Sequence, residues 1–169
     1  MGYLDEHLFL NYDYKIIGLE GDETKHLQAI NRQEKYCSKS LPRVKHIHHF
    51  ITLDSASFIE ESARDLHNLP RIALFGLHPC GDLSSVAIKL FLECESFTNL
   101  IITPCCYHKM TGNSDFTKFN HFPMSNALKN ACSTYDTENP FLRTFLRLSG
   151  QQSPLKFSEM SEERHFERG

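Results

Sequence analysis

Apolar runs of strand length alternate with amphipathic stretches of helix length through about residue 110. Four runs have the length and composition of strands: 15–19, 44–51, 71–77 and 99–103. Four other segments have helical apolar spacing: 3–11, 23–36, 55–67 and 82–93. Because this alternation is typical of βαβ units, we predict an α/β fold on a mostly parallel sheet. Asp82 and Ser55 are predicted helix N-caps.

The pattern weakens after Met110. Residues 111–121 form a polar stretch, and residues 123–131 and 140–148 have helical patterns. From Gly150 onward the chain is polar and charged. We therefore predict one domain over residues 1–150 and a polar C-terminal tail over 151–169, as a frayed helix or an extended end.

Composition narrows the class of protein. The chain has 169 residues, 40% of them hydrophobic and 23% charged, which suits one globular domain with a core. A formal net charge of -3 excludes a global basic field that recruits nucleic acid. The first residues lack the pattern of a signal peptide, and no apolar run approaches the ~18 residues of a membrane span. We expect a cytoplasmic or nuclear protein without a membrane segment.

The six cysteines are expected to be reduced thiols. Two of them are adjacent, and several lie within apolar segments, which does not suit the disulfide framework of a secreted domain. They are Cys37, Cys80, Cys94, Cys105, Cys106 and Cys132.

Reactive side chains follow two of the predicted strands. His78 and Cys80 come after one strand, and Cys105, Cys106 and His108 come after the next. Ligands of open α/β sheets bind outside the carboxyl ends of the strands, so the two segments predict one site. Pro and Gly in these segments are also explained by the turns that they make.

An acidic pair follows the first predicted strand. A carboxylate at the end of a strand of a nucleotide-binding half can accept hydrogen bonds from ribose hydroxyls. Glu20 suits this role, with Asp22 as the second choice. The alternative is a pair of solvated turn acids.

A metal centre is a further alternative for the thiols and imidazoles. Zn²⁺ takes these ligand types, but His-x-Cys and Cys-Cys-x-His lack the usual spacing of zinc ligands. We therefore assign no metal ligand from the sequence. A second histidine group, His46, His48 and His49, is expected to be solvated.

Three motifs in order resemble those of one enzyme family. Residues 76–84 read GLHPCGDLS, residues 103–110 read TPCCYHKM, and residues 122–125 read FPMS. Together they closely resemble the methyltransferase-like protein 25 family of S-adenosylmethionine-dependent methyltransferases. They are more loosely similar to a family of tRNA ribose 2′-O-methyltransferases. The resemblance spans residues 2 to about 150.

The resemblance implies a Rossmann-like class I methyltransferase sheet with S-adenosylmethionine as cofactor. It places Glu20 at the ribose, Leu53 and Asp54 near the adenine, and the segments 77–81 and 104–108 at the methyl group. The implied cofactor-binding residues are Gly2, Glu20, Asp22, Leu53, Asp54, His78, Cys80 and Gly81. The implied catalytic residues are Asp82, Cys105, Cys106 and His108.

The chain departs from this family at its first residues. Members begin the fold with a strand and a loop of the form Asp-x-Gly-x-Gly-x-Gly-Tyr-Leu, and residues 1–4 match only its end. The resemblance therefore implies a sheet that lacks its first central strand and most of the Gly-rich loop. That strand would lie between the strands ending at Leu19 and Leu77. Each backbone group left buried and unpaired costs about 1–3 kcal/mol, so a truncated domain is expected to be weakened.

Three functions stay open at this point. The first is methyl transfer, with His108 as the base that deprotonates the acceptor. The second is a catalytically incompetent fragment or binding module. The third is an RNA methyltransferase with a basic face, against which dispersed surface charge is the simpler account. The residues of that face are Lys89, Lys109, Lys118, Lys129, Arg143 and Arg147. The methyl acceptor (protein, RNA or small molecule) is not fixed by the sequence.

Overall fold

The computed structural model describes residues 2–66, 71–113, 118–134 and 143–149. Helices and strands alternate through residue 103, as predicted. The strands are β1 (Ile16–Glu20), β2 (Val44–His48), β3 (Ile72–Leu77) and β4 (Phe97–Thr103). The helices are α1 (Tyr3–Tyr12), α2 (Glu23–Tyr36), α3 (Ala56–Leu66), α4 (Asp82–Glu93), α5 (Asn126–Thr134) and α6 (Arg143–Ser149).

The strands form two parallel pairs. β1 pairs with β2 in a register that runs from Ile16 opposite Val44 to Glu20 opposite His48. β3 pairs with β4, and hydrogen bonds from Ile72 N to Ser96 O and from His78 N to Thr103 O show that the strands run the same way. Within the described ranges the two pairs are not hydrogen-bonded to each other. The α/β class and the parallel pairing are confirmed, whereas the described strands form two sheets rather than the single sheet that was predicted.

The chain divides into two compact units. The first comprises residues 1–75 and 86–101, and the second comprises residues 76–85 and 102–169. The second unit therefore contains the carboxyl ends of β3 and β4. Both units lie within the predicted domain of residues 1–150, apart from the tail. The predicted tail, 151–169, lies outside the described residues.

The core of the first unit is formed by α3, α4 and the strands. Ile59, Val86, Leu90 and Phe97 are buried, and Leu90 is only 2% exposed. Val86 and Leu90 are four residues apart and therefore share one face of α4. Side chains from β1 and β3 pack against this cluster, Leu19 among them. The apolar face of α4 thus fixes the position of the first unit's strands.

The core of the second unit is smaller. It contains Met110, Phe119 and Leu146, with Phe122 packed against them. Gly112 and Phe119 form an isolated antiparallel bridge. Residues 118–122 thereby fold back onto the segment that follows β4.

Polar side chains fix where the helices start. Asp22 caps α2 by accepting a hydrogen bond from Lys25 N at 3.0 Å. A 3₁₀ turn over Leu53–Ser55 precedes α3, and Thr52 is its cap. Ser55 was predicted to cap α3, and this is wrong. Its hydroxyl instead accepts a hydrogen bond from Thr52 N at 2.9 Å, inside a capping box.

Several predicted boundaries shift by a few residues. β2 ends at His48 rather than at residue 51, and β4 begins at Phe97 rather than at residue 99. α5 begins at Asn126 rather than at residue 123, because Ser125 Oγ accepts from Leu128 N and caps it. In the described parts of the chain, no helix has both the length and the apolar character required to cross a membrane.

Candidate functional site

Three thiols meet in the second unit. The Sγ atoms of Cys80 and Cys105 are 3.3 Å apart, and those of Cys105 and Cys106 are 3.4 Å apart. All three Sγ atoms lie within 4.8 Å of one another, and each cysteine is half-buried. We call this group the thiol cluster. Two segments that are separate in sequence therefore converge beyond the ends of β3 and β4.

Backbone geometry holds the thiol cluster in place. Gly81 has φ +61°, and a Cβ atom there would lie 2.8 Å from the carbonyl oxygen of Lys109. The N–H of Gly81 donates to Cys106 O at 3.2 Å. His78 also has a positive φ of 60°, and its N–H donates to Thr103 O. Only glycine suits the close approach at residue 81, so this turn fixes Cys80 against the Cys105–Cys106 segment.

Two thiols of the cluster, Cys105 and Cys106, differ in pKa. Hydrogen bonds with Cys80 and Cys106 raise the pKa of Cys105 to about 12. Hydrogen bonds from Cys80 and Cys105 lower the pKa of Cys106, and the nearby Lys109 acts in the same direction. The pKa of Cys106 therefore lies below that of Cys105.

Asp82 is the first residue of α4 rather than its N-cap. Its Oδ2 accepts from Thr111 N at 2.9 Å and so ties α4 to the segment after β4. Its Oδ1 is buried and has no hydrogen-bond partner among the described residues. The capping prediction for Asp82 is wrong, because the carboxylate binds a distant N–H instead of its own helix.

The two histidines of this region stand outside the thiol cluster. His108 lies in a 3₁₀ turn over Tyr107–Lys109, and its buried Nδ1 has no hydrogen-bond partner within the described ranges. His78 is exposed. Neither imidazole belongs to the thiol cluster of the described chain. The catalytic role of His108 stays a prediction.

Glu20 lies at the carboxyl end of β1, in the first unit. Its Oε1 accepts from Asp22 N at 3.0 Å, and its other carboxylate oxygen has no partner in the described chain. Asp22 is committed to capping α2, and the hydrogen bond from Lys25 N lowers its pKa. Of the two predicted ribose ligands, Glu20 is thus the one with a free oxygen.

A small open cavity of about 80 Å³ lies beside Glu20. Gly2 lines it, and Gly2 has φ +76° at the start of α1. The other lining residues are Asp5, Gly18, Leu19, Lys25, His26, Ala29 and His46. Leu53 and Asp54 lie elsewhere in the first unit, in the turn before α3, and do not line this cavity.

Asp5 and His46 form a contact that sequence reasoning missed. Asp5 Oδ2 lies 3.6 Å from His46 Nδ1, and the His46 side chain is only 6% exposed. Burial raises the pKa of Asp5 and lowers the pKa of His46, so both groups favour their neutral forms. A Cβ atom at Gly18 would lie 2.7 Å from each side chain. That glycine within a β1 strand of large apolar residues was the available signal of a close approach.

The solvated environment expected for the histidines of 46–49 is wrong for two of them. His46 is buried beside Asp5. His49 bonds Ser55 Oγ at 2.9 Å and stacks on Phe58, with ring centroids 4.0 Å apart. His48 is exposed, as expected, with its Nε2 atom 3.2 Å from Gly21 O.

The predicted site residues fall into two groups by unit. Gly2, Glu20, Asp22, Leu53 and Asp54 belong to the first unit. The second unit contains the remaining seven: His78, Cys80, Gly81, Asp82, Cys105, Cys106 and His108.

Comparison with known proteins identifies the fold. A family model described as a methyltransferase domain matches residues 1–113, from α1 through the segment after β4. The chain belongs to this methyltransferase-domain family. The matched residues include Glu20 and the three cysteines of the thiol cluster. No solved structure matches the chain.

Proposed function

We propose that this chain is an S-adenosylmethionine-dependent methyltransferase domain of the methyltransferase-like protein 25 kind. The observation that carries the proposal is the methyltransferase-domain match over residues 1–113. The three motifs quoted above support the narrower family. The cofactor supplies a sulfonium methyl group that is already electrophilic, so the protein mainly positions an acceptor.

Glu20 is the residue that we propose for the ribose of the cofactor. Asp22 N orients one carboxylate oxygen and leaves the other free to accept a hydrogen bond from a hydroxyl. Gly2 supports the same assignment, since its positive φ lets the chain turn into α1 beside this end of β1. Asp22 caps α2, and its N–H donates to Glu20.

The cavity beside Glu20 has room for only part of such a cofactor. Its volume of about 80 Å³ is well below the roughly 300 Å³ of small-molecule sites. We therefore propose that a further strand and a Gly-rich loop complete the binding site. The two separate strand pairs in the described chain support this proposal, because β1 and β3 are not hydrogen-bonded to each other.

His108 is the residue that we propose as the base of the second unit. Its buried Nδ1 has no hydrogen-bond partner within the described chain. An imidazole nitrogen can take a proton from an acceptor hydroxyl or amine. Asp82 is proposed to position this segment through its bond to Thr111 N.

A binding module without catalytic activity is the second candidate function. The small volume of the first unit's cavity favours it. The two candidates differ in cofactor affinity, because only the enzyme requires a complete site for S-adenosylmethionine.

Calorimetric titration with S-adenosylhomocysteine separates these proposals. The 169-residue chain is compared with a form extended at its N-terminus by a strand and a Gly-rich loop. We expect the extended form to bind at one site and the 169-residue chain to bind more weakly. Equal binding by both contradicts the proposed extra strand. Absence of binding by both, with circular dichroism showing folded protein, contradicts the proposed function.

A further inference from the structure

The thiol cluster contains more cysteine side chains than the proposed reaction requires. Methyl transfer needs a positioned acceptor and at most one base, yet three Sγ atoms of the second unit lie within 4.8 Å of one another. Cysteine side chains brought together from two segments offer soft donors to a metal ion. Methyl transfer therefore does not explain why three thiols lie together.

We infer that Cys80, Cys105 and Cys106 bind a zinc ion through three thiolates, with a fourth position open to water or an outside ligand. Cys80 alone is also among the cofactor-binding residues that the resemblance implies, and zinc binding can be measured without the cofactor. The spacing of these residues gave no such indication, because Cys80 is 25 residues from Cys105.

The distances between the thiols suit a shared ion. A Zn–S bond of about 2.3 Å places the sulfurs of a tetrahedral site about 3.8 Å apart. Two of the Sγ separations, 3.3 and 3.4 Å, are slightly shorter than this edge. These two separations have to lengthen by about 0.4–0.5 Å to reach the tetrahedral edge.

The backbone around the thiol cluster is already organised for binding. The bonds from Gly81 N to Cys106 O and from His78 N to Thr103 O hold the two ligand segments together. The bond from Lys109 N to Cys106 O closes the turn that follows the last cysteine. Ligands held in advance in this way lose little conformational freedom when the ion binds.

The chemistry of the donor set selects the metal class. Thiolates favour zinc and other soft ions over magnesium or calcium, which require oxygen ligands. In the described part of the chain no imidazole or carboxylate joins the three thiols as a fourth ligand. Zinc sites with three protein ligands and one open position are typical of catalytic rather than structural centres.

A disulfide is the competing fate of two of these thiols. Adjacent cysteines have Cα atoms about 3.8 Å apart, below the 4.4–6.8 Å range of ordinary disulfides. Cys105 and Cys106 therefore do not suit a disulfide with each other. Cys80 and Cys105 are the pair in which a disulfide competes with the metal.

The test measures zinc bound to the purified full chain. The chain is reduced, loaded with zinc, freed of excess metal and analysed by mass spectrometry for zinc and for protein. We expect one zinc ion per chain for wild type and for Cys132→Ser, whose cysteine lies on α5 outside the thiol cluster. We expect Cys80→Ser to lose at least nine tenths of that zinc. Full retention by a folded Cys80→Ser variant overturns the site.

A second readout on wild type covers a variant that fails to fold. Cobalt(II) in place of zinc should give a thiolate-to-cobalt charge-transfer band and the visible spectrum of a tetrahedral ion, with an intensity that corresponds to three thiolates. A reduced chain that takes up neither zinc nor cobalt overturns the site, whether or not Cys80 and Cys105 form a disulfide on oxidation. Neither measurement uses S-adenosylhomocysteine, so a negative result leaves the proposed function standing.

Discussion

The Sγ atom of Cys80 lies 3.3 Å from that of Cys105, although 25 residues separate the two cysteines in sequence. The contact follows from the parallel pairing of β3 with β4, which places the segments after both strands at one edge. The contact also depends on the turn at residue 81, which only glycine suits.

Gly81→Ala should disrupt the turn at the thiol cluster. The new Cβ would lie 2.8 Å from Lys109 O, and φ +61° is itself unfavourable for alanine. The left-handed conformation alone costs about 1–2 kcal/mol, and the clash adds to it. The free energy of unfolding measured in urea should therefore fall by roughly 2 kcal/mol or more.

Gly21→Ala is the matched control for that substitution. Its Cβ would meet the side chain of Phe50, which is 75% exposed and free to move away. We expect a much smaller loss of stability. Equal losses for Gly21→Ala and Gly81→Ala would contradict the structural role of Gly81.

Leu90→Ala should destabilise the first unit. Leu90 is 2% exposed in the α4 face that packs on Ile59 and Phe97. Deletion of a buried leucine side chain typically costs about 2–5 kcal/mol through lost burial and the cavity that remains. Leu92, on the same helix, is 73% exposed, so Leu92→Ala should leave the midpoint of denaturant unfolding nearly unchanged. The reverse order of effects would show that α4 packs through another face.

Acidification should destabilise the first unit through His46. Burial lowers the pKa of His46 below its ordinary value of 6.5, so the unfolded chain binds more protons than the folded chain just below pH 6.5. Its contribution to stability is therefore complete above that pH and is lost as the pH falls towards the folded pKa. Asp5 opposes this lowering of the His46 pKa, whereas His26 and the N-terminal amine add to it.

His46→Asn tests that contribution by removing the titrating group. The unfolding free energy of wild type, measured in urea between pH 5 and 7, should fall more steeply on acidification than that of the variant. His7→Asn is the control, because His7 is exposed on α1. A variant His46→Asn that keeps the full wild-type slope would assign the pH dependence to other groups.

Local sequence signals predicted the elements, whereas contacts between distant residues were harder to foresee. α2 and α4 were predicted with their observed bounds, Glu23–Tyr36 and Asp82–Glu93, because apolar spacing was regular over their whole length. Because ligands of open α/β sheets bind at the carboxyl ends of the strands, the sequence predicted that the cysteines after β3 and β4 lie near one site. It did not predict the distances between them. The Asp5–His46 contact was missed, since it depends on how α1 packs on the first strand pair.

Neither predicted helix cap is observed, and the cap of α2, Asp22, was not predicted. Asp82 has the sequence position of a cap, but its carboxylate accepts from Thr111 N, on a segment that only the fold brings near. Ser55 was assigned to the wrong position of its own capping box, because Thr52 also carries a hydroxyl that can cap.

The central claim concerns Glu20 as the ligand of the cofactor's ribose, and Glu20→Gln tests it most directly. Titration calorimetry with S-adenosylhomocysteine should use the form of the chain that binds more tightly. Loss of a hydrogen bond to a charged group costs about 1.5–3 kcal/mol, so the variant should bind roughly 10- to 100-fold more weakly. The control is Glu23→Gln, an exposed carboxylate in the first turn of α2, which should bind like wild type. Unchanged affinity for a folded Glu20→Gln variant would contradict the account.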